Sequence, residues 1–510
     1  MDPMIAALMR AEAYSHPVET IQLLQTHLSW VLLTGRYAYK LKKPVNLGFV
    51  DFSSQALRRW FCQEELRLNR RLAPDLYLDL VTIHGPPEQA SFHGSGPPIE
   101  VAVRMRQFPQ QALLSELLNA EDGDLVPAHF DRLADDLAAF HASAATATPA
   151  VPFGDPEMVL LPAQANLDVL EAQGAESLCA DPSALLKLRL WTESEHSRLR
   201  NIYIQRKREG RIRECHGDLH LGNMALRLDR IEVFDCLEFN PSLRWIDVIS
   251  DMAFLAMDLQ CRGRPELASR VLNRWLERSG DGAGLHTWRW YLVYRALVRA
   301  KVALLRRADP DLPIQRRQHL EKRIASYISV AQEATTISRP TLLITHGVSG
   351  SGKTHQAKKL VEKGGWIHLR SDVERMRLFG RWAGAPANPL QGNPYRPEVT
   401  KILYEQLLPA QAEGILAAGF SVVVDATFLK RSQRCTMAEL AKRMSAKFQI
   451  LNCAVCKDLA LQRIMKRLQE GADPSEANQQ VLEEQLRLRE DLLTEEINAC
   501  LTENDLILNR

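Results

Sequence analysis

TLLITHGVSGSGKT, residues 341–354, is a short apolar strand pattern that runs into Gly347-Val348-Ser349-Gly350-Ser351-Gly352-Lys353-Thr354, a complete GxxxxGK[ST]. A strand before and a helical pattern after are the context this motif needs. The glycines let backbone N–H groups turn inward around phosphates, and the following helix N-terminus adds favourable partial charge. Lys353 is then placed to reach the β- and γ-phosphates, and the Thr354 hydroxyl to ligate magnesium. The motif predicts a nucleotide-binding α/β domain with a parallel sheet, because short strands near 341–345, 421–425 and 448–454 alternate with helical segments.

Upstream, the composition resets at Ser338-Arg339-Pro340, which sets the expected boundary: 1–337 before it and 338–510 after it. At about 150 residues per domain, 510 residues allow two or three domains. Within the first part, 27–33 and 37–42 alternate like paired strands around Gly35-Arg36, 55–73 is helical, and strands are expected near 76–83 and 98–107. Beyond 125 the pattern is helical except around 224–235. The reading is a small sheet-rich lobe (about 25–107) and a helical lobe (about 108–337).

The net charge of +2 argues against a bulk electrostatic grip on nucleic acid or membrane. No apolar run approaches the roughly 18 residues of a membrane span. Asp2 and Pro3 stand where a signal peptide carries positive charge, and the nine scattered cysteines read as reduced thiols, so a cytoplasmic protein is expected. Cys453 and Cys456 form the only CxxC, with no second ligand pair nearby for zinc.

The sharpest signal of the first part is His216-Gly217-Asp218-Leu219-His220-Leu221-Gly222-Asn223. Asp218 and Asn223 are five apart, the spacing of a phosphotransfer base and a magnesium-holding amide in a kinase catalytic loop. Asp218 would accept the proton of an attacking hydroxyl, and Asn223 would bend back over one tight loop to a metal ion. Asp235 ends the apolar run IEVF and is the second metal-ligand candidate. Tyr37-Ala38-Tyr39-Lys40 has the apolar-Ala-apolar-Lys form of a phosphate-pairing strand. Lys42 shares that face and is the rival to Lys40. Glu64 and Glu65 on the next helix are the alternative partners for the lysine, with Glu65 preferred.

HGDLHLGN, YAYK and FDCLEF (234–239) together resemble the aminoglycoside phosphotransferase-like branch of the protein-kinase fold, over roughly residues 25–330. The resemblance implies a bilobal α+β domain, ATP (or GTP), Mg2+ and transfer to a small-molecule hydroxyl. It makes Asp218 the catalytic base, Asn223 and Asp235 the metal ligands, and His216 a brace. It also implies that Asp247 and Asp251, expected at a helix start, anchor the loop. No GxGxxG precedes the lysine strand, and no acidic cluster marks an aminoglycoside pocket. Trp288, Trp290, Tyr291 and Tyr294 read as core, and Arg295, Arg299 and Lys301 as a solvated helix face.

In the last part, Asp372 follows the apolar run Trp366–Leu369, Arg375 comes three residues later, and Asp425 ends SVVV. Arg463 and Arg467 share a helix face beside the loop 470–477. That order resembles the polynucleotide-kinase, zeta-toxin and small-molecule-kinase group of P-loop proteins. The likeness implies Asp372 as acceptor base with Arg375 beside it, Arg463 and Arg467 as lid arginines, and Asp425 near the metal. The whole chain resembles bacterial fusions of an aminoglycoside phosphotransferase-like domain with a C-terminal AAA-type or kinase-type P-loop domain. Two ATP-dependent kinase activities are expected, with ATP hydrolysis an allowed side reaction of the second half. The rival readings are a nucleotide-gated regulator, and an end kinase for nucleic acid using a basic strip at Lys430, Arg431, Arg434 and Lys442.

Overall fold

The computed structural model describes residues 1–48, 50–94, 96–119, 125–470, 475 and 477–501. Two compact units are present. One comprises residues 1–136, 143–155 and 206–255; the other comprises 137–142, 156–205 and 256–510.

In the first unit, five strands form an antiparallel sheet in the order β1-β2-β3-β5-β4: β1 (Gln22–Gln25), β2 (Ser29–Leu33), β3 (Tyr37–Lys42), β4 (Tyr77–His84) and β5 (Pro98–Arg106). The β2–β3 turn has Gly35 at φ +86, a left-handed conformation that glycine adopts without a Cβ penalty. Leu33 is thereby set opposite Ala38. Period two then divides β3. Tyr39 and Leu41 enter a core with Ile5, Leu8, Tyr14 and Ile83, while Lys40 and Lys42 take the other face. The helix Gln55–Asn69 starts at Ser54, whose Oγ accepts from the Leu57 N–H at 3.2 Å. It buries Cys62, Glu65, Leu68 and Asn69, one face at helical spacing, so Glu65 points inward and Glu64 does not.

Two short pairs complete this unit: β6 (Ile212–Glu214) with β9 (Trp245–Asp247), and β7 (Met224–Arg227) with β8 (Arg230–Val233). Asp247, expected at a helix start, ends β9 instead; the helix begins at Val248. Its carboxylate binds the buried Arg206 at 2.5 and 2.6 Å.

In the second unit, a four-stranded parallel sheet has the order β11-β12-β10-β13: β10 (Thr341–His346), β11 (Ile367–Arg370), β12 (Val422–Asp425) and β13 (Lys447–Asn452). Val422, Val423 and Val424 are all 0% exposed, as befits an inner strand covered on both faces. The chain thus carries an antiparallel five-stranded sheet with helices in its first unit and a parallel α/β sheet in its second. Trp288, Trp290, Tyr291 and Tyr294 are core residues of the helix Leu285–Arg307. Arg295 on that helix is 3% exposed, so the expected solvated face is not one: its position falls among the buried aromatics. Among the described residues, no helix is long and apolar enough to cross a membrane.

Candidate phosphoryl-transfer sites

The first unit gathers the residues of its site from β3, the inward face of the helix after it, and the loops after β6 and β8. Lys40 Nζ lies 2.7 Å from Glu65 Oε1 and 2.6 Å from Asp235 Oδ1. Burial works to depress this ammonium, but Asp235 and Glu65 outweigh it and hold it well above the ordinary lysine value. Lys42 Nζ is 2.5 Å from Glu65 Oε2 and pairs with Glu238. Both rival lysines therefore meet one carboxylate. Glu64 instead pairs with Arg67, 2.8 Å away, and lies 3.7 Å from Arg244. Burial alone would raise the Glu65 carboxyl; Lys40 and Lys42 hold it well below the usual range.

The loop 216–223 is tied from several sides. Asp251, fully buried, accepts from the His216 and Gly217 N–H groups at 2.8 and 2.9 Å. Gly217 sits at φ +86, where a Cβ would lie 2.6 Å from the Leu243 carbonyl oxygen, so no other residue fits without moving backbone. His216 bonds the Phe234 carbonyl through Nε2 at 3.0 Å and accepts from the Asp218 N–H through Nδ1 at 3.2 Å. That links the loop to the strand leading to Asp235. Asn223 Nδ2 donates to the Asp218 carbonyl and to Asp218 Oδ2, both at 3.0 Å. This turns the Asn223 carbonyl oxygen into the atom that can face a cation. His220 accepts from the Gly222 N–H through Nδ1, which puts its proton on Nε2, 3.3 Å from Asp218 Oδ2. Asp235 has φ +63, uncommon for a residue with a Cβ, and its N–H donates to the Tyr77 hydroxyl at 3.2 Å. Sequence reading did not single out Glu238, Tyr77 or the separate part of His220. His220 lies inside the quoted HGDLHLGN and Glu238 inside the quoted FDCLEF, without a role assigned to either; Tyr77 carries no local signal.

In the second unit, the motif after β10 wraps as its glycines require. Gly347, Gly350 and Gly352 all have positive φ, and a Cβ on Gly350 would lie 2.3 Å from the Ala460 carbonyl oxygen. Val348 packs among Leu429, Ala460, Ile464 and Leu482, while its carbonyl accepts from Lys353 Nζ at 2.7 Å. Ser351 is buried at the base of the loop. A cavity of about 680 Å³ is lined by Ser349, Gly350, Gly352, Lys353 and Thr354 together with Asp372, Arg375, Asp425, Arg463 and Arg467. The Arg463 guanidinium donates to the Gly350 carbonyl at 3.3 Å, and that of Arg467 to the Ala477 carbonyl at 3.2 Å. Of the expected loop 470–477, residues 471–474 and 476 lie outside the described residues. Arg375 is buried; its guanidinium donates to the Pro394 carbonyl at 2.8 Å and lies 4.9 Å from the Tyr395 ring centroid.

Burial would raise the Asp425 carboxyl, but His368 at 3.2 Å, with Arg370 and Lys353, holds it down at about 2. His368 is the residue of this site that the sequence did not announce. Lys353 is lowered by burial, with Asp425 and Asp372 opposing. Arg434 is buried against Glu496 and four backbone carbonyls, so it does not belong to an exposed basic strip.

Residues 58–291 match the family described as "Phosphotransferase enzyme family", and residues 342–492 match "AAA domain". The chain pairs a phosphotransferase-family domain with a P-loop AAA domain. Similar over its length are proteins of Mycobacterium bovis and Mycobacterium tuberculosis described as uncharacterized, 29% identical over 466 residues, covering 90% of this chain and 89% of theirs. Among solved structures, a choline/ethanolamine kinase family protein from Mesorhizobium loti is 12% identical, covering 65% of this chain and 99% of that one, with a TM-score of 0.35. A gluconokinase from Sinorhizobium meliloti is 22% identical over 32% of this chain and 81% of that one, with a TM-score of 0.23. The phosphotransferase-family match contains Glu65, Asp218, Asn223 and Asp235, and the AAA match contains Lys353, Asp372 and Asp425. The two family matches support a phosphotransferase-type enzyme with a nucleotide-binding P-loop.

Proposed function

We propose that each domain transfers a phosphoryl group from magnesium-bound ATP or GTP to a hydroxyl of a small molecule. One observation carries this reading: in each domain a largely enclosed lysine feels a carboxylate at or just beyond a strand end, Lys40 lying 2.6 Å from Asp235 and Lys353 being stabilised in its charged form by Asp425 at the end of β12. Phosphoryl transfer needs that pairing of a phosphate-holding cation with a metal-holding anion.

In the phosphotransferase domain, Asp218 takes the proton of the acceptor hydroxyl, whose oxygen attacks the γ-phosphorus. The bond to the β–γ bridging oxygen breaks, and the nucleoside diphosphate leaves. Asn223 and His220, both on Asp218 Oδ2, orient the base. Asn223 and Asp235 would hold magnesium, and their oxygen donors fit a hard cation. Asp235 supports the fit because 45% of its side chain is exposed. Magnesium, when bound, neutralises charge on the phosphate oxygens. In the AAA domain, Lys353 and the loop N–H groups grip phosphates, Thr354 and Asp425 would hold the metal, and Asp372 takes the acceptor proton. Arg375, Arg463 and Arg467 line the same cavity as counter-charges. All nine cysteines are free thiols, which supports a reducing, cytoplasmic setting.

The test is nucleotide consumption by the purified chain against sugars, nucleosides, nucleotide-sugars and RNA ends, beside Asp218→Ala and Lys353→Ala. Phosphorylated small-molecule products that each variant abolishes separately are expected. Hydrolysis alone, with no acceptor phosphorylated, would overturn the reading in favour of a nucleotide-gated regulator.

A further inference from the structure

The helix Pro265–Ser279 lies within the phosphotransferase-family match, yet it packs on the edge of the AAA sheet inside the same compact unit. β11 is the outer strand of that sheet, so among the described residues one side of its backbone lacks a strand partner. Asn273 fills that role with a single side chain. Its Nδ2 donates to the Trp366 carbonyl at 2.9 Å, and its Oδ1 accepts from the His368 N–H at 2.7 Å. Those two groups flank Ile367, the pair that one residue of a parallel neighbour would engage. Ser269 Oγ donates to the Val361 carbonyl at 2.8 Å, and Arg270 pairs with Glu362 at 2.7 Å, so the same helix also fixes the helix that begins at Lys353.

The register of β11 matters because of what His368 does with its side chain. Its Nε2 lies 3.2 Å from Asp425 Oδ2, and Thr345 Oγ1 lies 3.5 Å from Oδ1. Asp425 lines the same cavity as Lys353 and Thr354. A carboxylate held by neighbouring donors keeps one orientation, which a metal-holding oxygen requires.

We propose that Asn273 and His368 form a relay in which a residue outside the AAA family match positions Asp425, so that metal-dependent nucleotide binding by the AAA domain depends on the helix Pro265–Ser279. This rests on the reading of the AAA domain as a magnesium-nucleotide site. Both are positioning residues; neither is assigned contact with the reacting atoms. The AAA domain is then not a freely separable module: its site is completed from the preceding domain's sequence.

The test titrates the full-length chain with a fluorescent ATP analogue, with and without Mg2+, the AAA site being the component lost in Lys353→Ala. Asn273→Ala and His368→Leu should each weaken binding with Mg2+ roughly tenfold, the order expected when a hydrogen bond to a charged group is lost. Binding without Mg2+ should be unchanged. The double variant should be no weaker than either single one, because both cut the same chain of contacts. His368→Gln, which keeps an amide donor, should restore most of the affinity. Arg270→Ala, which cuts the pair with Glu362 from the same helix, should lower the melting temperature without altering the Mg2+ dependence. Should Asn273→Ala fail to fold, the contrast between His368→Leu and His368→Gln carries the test. Equal losses with and without Mg2+, or multiplying losses in the double variant, would overturn the relay. A wild-type chain with no Lys353-dependent binding would overturn the proposed function itself; normal wild-type binding with unaffected variants would overturn the relay alone.

Discussion

Glu65→Ala removes the carboxylate shared by Lys40 and Lys42, and its cost can be worked from the geometry. Glu65 is 0% exposed and touches both ammonium groups, at 2.7 and 2.5 Å. Breaking a buried pair outright costs about 3–5 kcal/mol, because a bare charge is left behind. Here each lysine keeps a second carboxylate, Asp235 for Lys40 and Glu238 for Lys42, so the loss should be smaller, about 2–3 kcal/mol. Glu64→Ala is the matched control: its partner Arg67 is 48% exposed, and pairs of that kind contribute about 0.2–1 kcal/mol. The sign with pH follows from the direction of the shift. The Glu65 carboxyl is depressed in the folded chain, so its contribution is fully present above the unfolded value of about 4.3 and is lost as pH falls towards the folded value. The gap between wild type and Glu65→Ala should therefore narrow below about pH 4.3. Two compact units need not unfold together, so amide hydrogen exchange in β3 and the helix Gln55–Asn69 is the appropriate measurement. Phosphoryl transfer by the first domain should fall as well, since Lys40 loses the group that aims it. Equal protection losses in Glu64→Ala and Glu65→Ala, or a gap that widens on acidification, would refute the argument.

Lys353→Ala should abolish nucleotide turnover by the AAA domain only, and Asp218→Ala transfer by the phosphotransferase domain only; a single change that silences both activities in well-folded protein would remove the two-site model. Asn223→Ala and Asp235→Ala should each raise the Mg2+ needed for half-maximal transfer, and added Mg2+ should rescue Asn223→Ala better, because a neutral ligand removes less charge than a carboxylate. Unchanged Mg2+ dependence in both would sink that assignment. Asp372→Asn, tested in the full chain carrying Asp218→Ala, should cut acceptor phosphorylation by about 10²- to 10⁴-fold while leaving nucleotide affinity intact. Near-normal transfer would take the base role from Asp372.

The parts of the fold that could be read in advance are those where one local constraint dominates. Gly347, Gly350 and Gly352 need positive φ, and the strand–loop–helix around them follows. Lys40 and Lys42 share a face because β3 alternates. What could not be read needed a partner distant in sequence. Glu238 stands in FDCLEF, but its role is not legible until Lys42 arrives from 196 residues away. His368 is one of two polar residues in β11, with Arg370, until the fold brings Asp425 of β12 within 3.2 Å of its ring. Arg434 and Arg295 look like surface charges, since local pattern does not reveal that a guanidinium will be buried among carbonyls or aromatic rings. β6 and β9 have three residues each, too few for a period to register.

The two domains solve the same electrostatic problem in opposite ways. A lysine meant for phosphate must be kept charged and aimed before phosphate arrives, then released to it. Lys353 is aimed by a neutral partner, the Val348 carbonyl, and burial lowers its proton affinity while Asp425 and Asp372 sustain it. Exchanging a carbonyl for a phosphate would be downhill, so on the proposed reading the AAA loop could grip a nucleotide with no other change. Lys40 is aimed by two carboxylates, and one of them, Asp235, is a proposed metal ligand. Phosphate and lysine cannot simply meet there: an uncovered Asp235 would repel the phosphates it stands beside. With Asp235 engaged by the proposed magnesium, Lys40 would be freed from that carboxylate and Glu65 would be left to hold the ammonium in place. Lys40 must lie within reach of Glu65 from the helix and of Asp235 after β8, and the antiparallel placement of β3 beside β5 puts it there.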